Sequence, residues 1–474
     1  MLFNSYIFIF LFLPVTFLVY FSLNRRHLTT ASKSWLLFTS LFFYSWWNIV
    51  YLPLILSSIL FNYTVGSLLS KKTAAPASPK KRILWIGIAA NLALLGYFKY
   101  ADFFIGNFNA LAGTAIEPLH LVLPLAISFF TFQQIAYLVD SYRRETHEYD
   151  FLNYAVFVSF FPQLIAGPIV HHKEMMPQFS YLRNKIVNYK HIASALFIFS
   201  IGLFKKVVLA DTFALWATGG FDQATSLNFV EAWTTSLSYS LQLYFDFSGY
   251  TDMAIGAALL FNIRLPVNFN SPYKALNIQE FWRRWHITLS RFLRDYIYIP
   301  LGGNRKGDYR TYSNLIITFL IGGLWHGAGW TFVFWGFLHG AALVVNRAWQ
   351  ALGIRVHGII AWFITFNFVN VTWVFFRAEE WSDAVKVLKG MFGLNGFGPV
   401  ASGLGLYTAA DNIDTALFIL LGLTALPGVF LLRNSMEMTH AYRPTRYYQF
   451  LTLLIACVGV LHLNRVTEFL YFNF

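Results

Sequence analysis

Charge is scarce in this chain. Asp, Glu, Lys and Arg make up 12% of its 474 residues, and hydrophobic residues make up 57%. An ordinary soluble protein is about a quarter charged, and one of this size could not hide so much apolar surface from water. The scarcity excludes a soluble enzyme and implies a polytopic integral membrane protein. Cysteine is nearly absent. Cys457, inside an apolar run, is the one copy, so an internal disulfide and a cysteine metal site are excluded. The chain has no Walker loop or dinucleotide fingerprint and no G-x-S-x-G elbow. It is therefore not read as a nucleotide hydrolase or as carrying its own soluble hydrolase domain. Strong internal repeats and low-complexity tracts are also missing. The N-terminus opens on an apolar run without a basic lead, which reads as a retained first helix rather than a cleaved signal.

Aromatic residues are abundant, at 19%, as suits wide membrane–water interfaces. The net charge of +13 (35 basic, 22 acidic) sits in short loops between apolar spans. That placement favours anionic lipid and an anionic cytosolic ligand as partners, rather than nucleic acid.

A spanning helix needs about 20 apolar residues. Runs near that length occupy 5–23, 83–98, 119–139, 192–209, 313–331, 332–349, 358–376, 414–432 and 447–464. The uncharged stretch 35–70 reads as two passes turning near Asn48 and Pro53. The stretch 232–261, which holds Asp246, Gly249, Asp252 and Gly256, reads as one broken or strongly tilted helix. The expectation is an all-α protein of about twelve passes in one membrane domain, 1–474. Lys and Arg after the first, third and fifth spans orient it, with loops 101–118 and 210–228 and both termini outside the cytoplasm. Lys205, Lys206 and Arg377, at outer span ends, fit that orientation less well.

Residues 277–307 read as neither loop nor pass. On a helix over 280–296, Arg283, Arg284, Arg291 and Arg294 fall within one ~100° stripe. Trp282, Trp285, Leu289, Phe292, Leu293 and Tyr296 fill the opposite side, with His286 at the border. Such a helix lies at an interface. Its arginines either meet lipid phosphates or hold an anionic cytosolic ligand such as a coenzyme A thioester, since the guanidinium fork suits phosphate. His326 lies in IGGLWHGAGW at membrane depth. An ionisable residue there is a functional candidate, and a neutral imidazole can take a proton from a hydroxyl. The alternative is a hydrogen-bonded structural histidine, the reading given to His339. Asp246 and Asp252 read as a cation site, a proton relay or, preferably, as structural partners of arginines. His171 and His172 lack the spacing of a zinc site.

WRRWHITLSRFLRDYIYIPLGGNRKG, followed by GGLWHGAGW with its histidine forty residues after His286, resembles the membrane-bound O-acyltransferase family. The similar branch is that of bacterial alginate and peptidoglycan O-acetyltransferases. LPLAISFFTFQQIAYLVDSYR, FPQLIAGPI, GLFKKVVLAD, YFDFSGYTDMAIG and FVNVTWVFFRAEEW carry the resemblance over about 120–381. It implies a ring of tilted helices around a central tunnel. It also implies His326 as base, and His286 as an orienting or binding residue at a position where other branches place Asn or His. The last six residues, FLYFNF (469–474), match an F-x-Y-x-x-F motif in which the tyrosine, here Tyr471, is proposed to carry the acyl group. A phenol needs a nearby base to act as a nucleophile.

The resemblance thus implies an inner-membrane O-acetyltransferase. Acetyl-CoA would be the cytosolic donor, held by the arginines at 283–294, with no resident cofactor and no metal. An extracytoplasmic SGNH-type transferase would be the partner, and which polysaccharide is modified stays open. The alternatives are direct transfer at His326 without a tyrosine intermediate, and a proton-coupled transporter using Asp246, Asp252 and His326.

Overall fold

The computed structural model describes residues 1–71, 77–146, 148, 150–165, 167–397, 422, 424–425, 427–463 and 470. Among these, every regular element is helical, which is how a chain in lipid satisfies its own backbone. The residues group into two compact units. The first comprises Met1–Phe199, Tyr250–Pro266 and Pro444–Gln449; the second comprises Ser200–Gly249, Val267–Arg443 and Phe450–Phe474.

Five described helices are long and apolar enough to cross a membrane: Phe8–Arg25, Ile49–Ser70, Pro79–Ala112, Tyr189–Gln223 and Gly358–Arg377. The expected pair over 35–70 forms as Thr29–Ser45 and Ile49–Ser70. Between them the Asn48 side chain accepts from the Val50 N–H at 3.0 Å, and Pro53 falls in the first turn of the second helix, where it costs no hydrogen bond. Most of the expected pass at 414–432 lies outside the described residues.

In the first unit, Phe8, Phe12, Phe43 and Phe161 pack ring against ring, with the Phe12 and Phe161 centroids 5.2 Å apart. Asn62 and Asn91 exchange amide hydrogen bonds of 3.1 and 2.7 Å between two helices. Such a pair fixes helix register where lipid offers no partner.

Several expectations are corrected. Residues 101–112 continue a helix and end it at Gly113, whose left-handed backbone (φ 67) donates its N–H to Asn109 O. Residues 210–223 are likewise helical, within Tyr189–Gln223. The segment Phe229–Leu260 is one continuous helix of 32 residues, unbroken at its glycines. Gly249 is there for contact: a Cβ would lie 2.7 Å from Gly202 O and 2.9 Å from Lys205 Cβ.

The helix expected over 280–296 is interrupted. Ile278–Arg284 and Ile287–Leu293 are separate helices, followed by a π-helical turn at Arg294–Tyr298. The amphipathic sorting survives the break. Trp282, Trp285, Leu289, Phe292 and Leu293 are buried, whereas Arg283 and Arg294 are exposed.

The Gly249 contact sets a test. Gly249→Ala forces a methyl against backbone and is expected to cost about 1–3 kcal/mol, read as a lowered melting temperature of the full chain in detergent. Gly106→Ala, where a Cβ meets nothing within 4 Å, is expected to leave melting unchanged or slightly raised.

Candidate functional site

His326 is the last residue of the helix Asp308–His326. Gly327 leaves the helix in extended backbone, and Trp330–Ala351 begins after Gly329. The two helices form a hairpin whose closeness is set by glycine. A Cβ on Gly323 would lie 2.3 Å from Phe332 O, and one on Gly336 would lie 2.3 Å from Phe319 O. The tight hairpin brings Trp335 edge-on to the His326 ring at 5.1 Å, while Phe376 of the Gly358–Arg377 helix stands at 5.0 Å and Trp325 at 4.9 Å. His326 is 3% exposed.

His286 stands at the break between the two short helices, in left-handed backbone (φ 41, ψ 55). Trp285 is extended. The groups freed by the break find partners in the segment before it: Ile287 N–H donates to Asn268 O at 3.0 Å, and Asn270 N–H donates to Arg284 O at 2.9 Å. Buried backbone demands such accounting. Asn268 Oδ1 also accepts from Thr288 N–H (3.2 Å), from the Thr288 hydroxyl (2.9 Å) and from His286 Nδ1 (3.1 Å).

A proton on Nδ1 leaves a lone pair on Nε2. That atom is buried and has no hydrogen-bond partner among the described residues. Burial pushes the imidazole down to about 3, so it is neutral at physiological pH and its free nitrogen is an acceptor. Phe247 meets the ring edge-on at 4.8 Å, and Trp325 lies at 6.2 Å. Trp325 thus neighbours both His286 and His326.

His339 contrasts with this. Its Nδ1 accepts from Trp282 Nε1–H (3.2 Å), and its Nε2 faces the Thr372 hydroxyl (3.0 Å), which itself donates to Val369 O. Both nitrogens are engaged, as a structural histidine requires. His171 and His172 turn to different carboxylates, Asp140 and Glu148.

A cavity of about 640 Å³ opens in the same unit. Its lining includes Arg283, Arg291, Arg294 and Arg347, and no carboxylate. Ser290, Asn304, Asn346 and Gln350 add polar groups, and Trp282 and Phe319 add aromatic wall. Asp295 backs Arg294 at 2.7 Å, and Asp308 lies 3.6 Å from Arg347. His326 is not among the lining residues. It stands two helical turns, about 10 Å, beyond Phe319 on the same helix.

Arg284 is not in the cavity either. Glu280 binds it at 3.0 and 2.8 Å, and Asn270 O accepts from it at 3.1 Å. Arg347 and Asn268 escaped the reading of the sequence. Arg347 carries a signal, because Asn346, Arg347 and Gln350 crowd the end of an otherwise apolar helix.

Asp246 is buried against Lys206 rather than an arginine, with Nζ–Oδ1 at 2.6 Å. Lys206 also meets Asp211 at 2.9 Å. The π-helical turn Lys205–Ala210 brings residues five apart onto one face, which is how these two pair. This burial explains a lysine at a span end that loop charge did not. Arg377 is likewise engaged, by Asp222.

The other oxygen of Asp246 accepts from the backbone N–H of Leu470 at 3.1 Å. Phe247, the next residue, is the ring that meets His286. The chain is therefore brought to this core one residue before Tyr471, which lies outside the described residues. Asp252 is buried in the first unit.

The model of MBOAT, the membrane-bound O-acyltransferase family, matches residues 82–378. The chain is 58% identical over 429 residues to the peptidoglycan O-acetyltransferase of Helicobacter pylori, covering 84% of this chain and 80% of that one. It is 41% identical over 401 residues to a probable alginate O-acetylase AlgI of Pseudomonas putida, covering 83% and 80%. A teichoic acid D-alanyltransferase of Streptococcus thermophilus is 28% identical over 286 residues, covering 53% and 68%.

The buried charges set a test. Lys206→Met strands two carboxylates away from water and is expected to cost about 3–5 kcal/mol, seen as loss of folded protein in detergent. Adding Asp211→Asn and Asp246→Asn is expected to recover much of that loss. No recovery would place the defect in packing instead.

Proposed function

Because this chain belongs to the membrane-bound O-acyltransferase family, an acyltransferase family, we propose that it moves acetyl groups from cytosolic acetyl-CoA across the inner membrane for O-acetylation of an extracytoplasmic polysaccharide. Peptidoglycan is the favoured polymer, since the peptidoglycan O-acetyltransferase is the nearer relative at 58% against 41% for the alginate O-acetylase. In this reading the helices belong to a ring of about twelve tilted passes around a tunnel, with both termini outside. The observation that carries the reading is the buried pair His286 and His326, both neighbours of Trp325, in the unit that also holds the arginine-lined cavity.

The cavity suits the donor's phosphates. Four guanidiniums with no carboxylate in the lining give planar, charge-assisted hydrogen bonds to phosphate oxygens. Its volume is within the range of small-molecule sites. The thioester arm would lie along Thr318 and Phe319, toward the end of the helix that carries His326.

The Nε2 lone pair of His286 accepts a hydrogen bond from an entering hydroxyl and orients it. His326 takes the phenolic proton of Tyr471. The phenolate oxygen attacks the thioester carbonyl, the C–S bond breaks, and the imidazolium returns its proton to the departing thiolate. Tyr471 then carries an aryl acetate outward. A separate SGNH-type transferase collects it: its serine attacks the ester, and the phenol is regenerated. The Leu470–Asp246 hydrogen bond supports this use of the tail, because Asp246 adjoins the residue packed on His286.

Direct transfer from acetyl-CoA to an acceptor at His326 is the competing chemistry. Intact-mass analysis after incubation with acetyl-CoA separates the two. One acetyl group mapped to Tyr471 and absent from Tyr471→Phe is expected, while full turnover in Tyr471→Phe would remove the carrier step. His326→Ala is expected to lower acetyl transfer by roughly 10²–10⁴-fold, with the protein still folded.

Arg347→Gln is expected to raise KM for acetyl-CoA about tenfold, the loss of one charge-assisted contact, with little change in kcat. Arg284→Gln, outside the cavity, is expected to change KM much less.

A further inference from the structure

The first unit contains a second basic cavity, of about 490 Å³, that the acyl-transfer reading does not use. Its walls come from the helix His172–Ser180, the turn Leu182–Lys185, the start of Tyr189–Phe204 and the loop after the long helix at Asn262–Arg264. These walls are tied together. Gln178 Nε2 donates to Arg264 O at 3.0 Å, and Arg264 N–H returns a bond to Gln178 Oε1 at 2.8 Å. Asn262, buried and in left-handed backbone (φ 61), donates its amide to Asn184 O (3.0 Å) and Ile186 O (2.9 Å). Its remaining Oδ1 accepts from His191 Nδ1 at 2.7 Å. That contact fixes the imidazole and turns Nε2 to the Arg264 guanidinium, 3.5 Å away.

The charge left in this frame is positive. Arg183 and Arg264 line the cavity, and neither forms an ion pair with a carboxylate among the described residues. Arg183 is stacked over the Tyr181 ring at 5.2 Å, which holds its fork in place. Glu174 is the one acid in the lining. The Nε2 lone pair of His191 accepts from the Arg264 guanidinium and leaves its charge unneutralised.

The rim is apolar. Leu182, Ile186 and Tyr189 are 77%, 68% and 81% exposed. They stand where the candidate span Tyr189–Gln223 begins. Aromatic and apolar side chains surrounding unneutralised arginines at the mouth of a span match the layering of a bilayer, with acyl chains beside the rim and phosphates at the cations. Lys185 and Lys190 add charge on the same turn and helix start.

We propose that this cavity binds a phosphate ester, the headgroup of an anionic phospholipid in the leaflet that the span enters, with Arg183 and Arg264 on the phosphate oxygens and His191 holding the Arg264 guanidinium in place. The site is separate from acyl transfer and does not depend on it, so its test reads lipid binding rather than activity.

The test uses the full chain in detergent, with melting followed as phosphatidylglycerol, phosphatidylcholine or inorganic phosphate is added. Phosphatidylglycerol is expected to raise the melting temperature of the wild type. The concentration needed is expected to rise about tenfold or more in Arg183→Gln/Arg264→Gln, given about 1 kcal/mol per basic residue at a membrane surface. It is expected to stay unchanged in Lys81→Gln/Arg82→Gln, an exposed basic pair elsewhere. Arg183→Gln alone guards against misfolding, because that side chain makes none of the bonds tying the walls, and it should show part of the loss.

Equal response to phosphatidylcholine, an undiminished response in both arginine variants, or an equal loss in the Lys81/Arg82 pair would overturn the site. A full shift from inorganic phosphate alone, with none added by lipid, would assign the cavity to a soluble anion and overturn the lipid as its source.

Discussion

The close approach of two helices at Gly323 and Gly336 is the contact on which the rest of the second unit depends. At each glycine the neighbouring backbone carbonyl stands where a methyl group would otherwise be. Without a hydrophobic drive in lipid, helices associate through such backbone proximity and through close packing. The approach lets Trp335 reach His326 and lets Trp282 reach both Phe319 and His339. A gap of less than an ångström would forfeit a large part of those contacts. The aromatic wall is therefore a consequence of the glycines, and the orientation of His326 is a consequence of the wall.

Basic residues in this protein fall into two physical situations. Lys206 is surrounded by Asp211 and Asp246 and is internally neutralised. Arg283, Arg291, Arg294 and Arg347 instead share a cavity whose lining holds no acid, with Asp295 and Asp308 backing Arg294 and Arg347 from outside it. The first arrangement secures helices against one another. The second leaves positive potential in a concave space, where an anion gains most from it. Loop charge alone cannot separate these situations, because it counts residues without seeing what they face.

Much of the fold was legible because hydropathy and periodicity are local. The turn near Asn48 and the sorting of tryptophan from arginine over 280–296 could be read from the chain, whereas the turn expected between 331 and 332 falls at 327–329, directly after His326. The interruption at His286 could not. One left-handed residue between two short helices preserves which side chains are buried, so a periodic pattern passes across it unchanged. Asn268 was invisible for a related reason. It lies 18 residues from His286, and its role rests on a main-chain pairing that no spacing rule encodes. The helical stretches 101–112 and 210–223 lie between the apolar runs and lack Lys and Arg. That absence bears on sidedness and says nothing of hydrogen bonding. The Arg284–Glu280 pair shows the reverse case, a stripe residue used up by a neighbour one helical turn away.

The dihedral angles of His286 have an evolutionary corollary. A side chain with φ near +40° must tolerate a conformation that is open mainly to glycine, asparagine, aspartate and histidine. The resemblance of this segment implies Asn or His at this position. Both belong to that short steric menu, and both offer a planar group with an in-plane hydrogen-bonding atom. The Ramachandran map limits substitution there before any reaction is considered, so Asn in place of His286 is permitted by geometry and only then judged by chemistry.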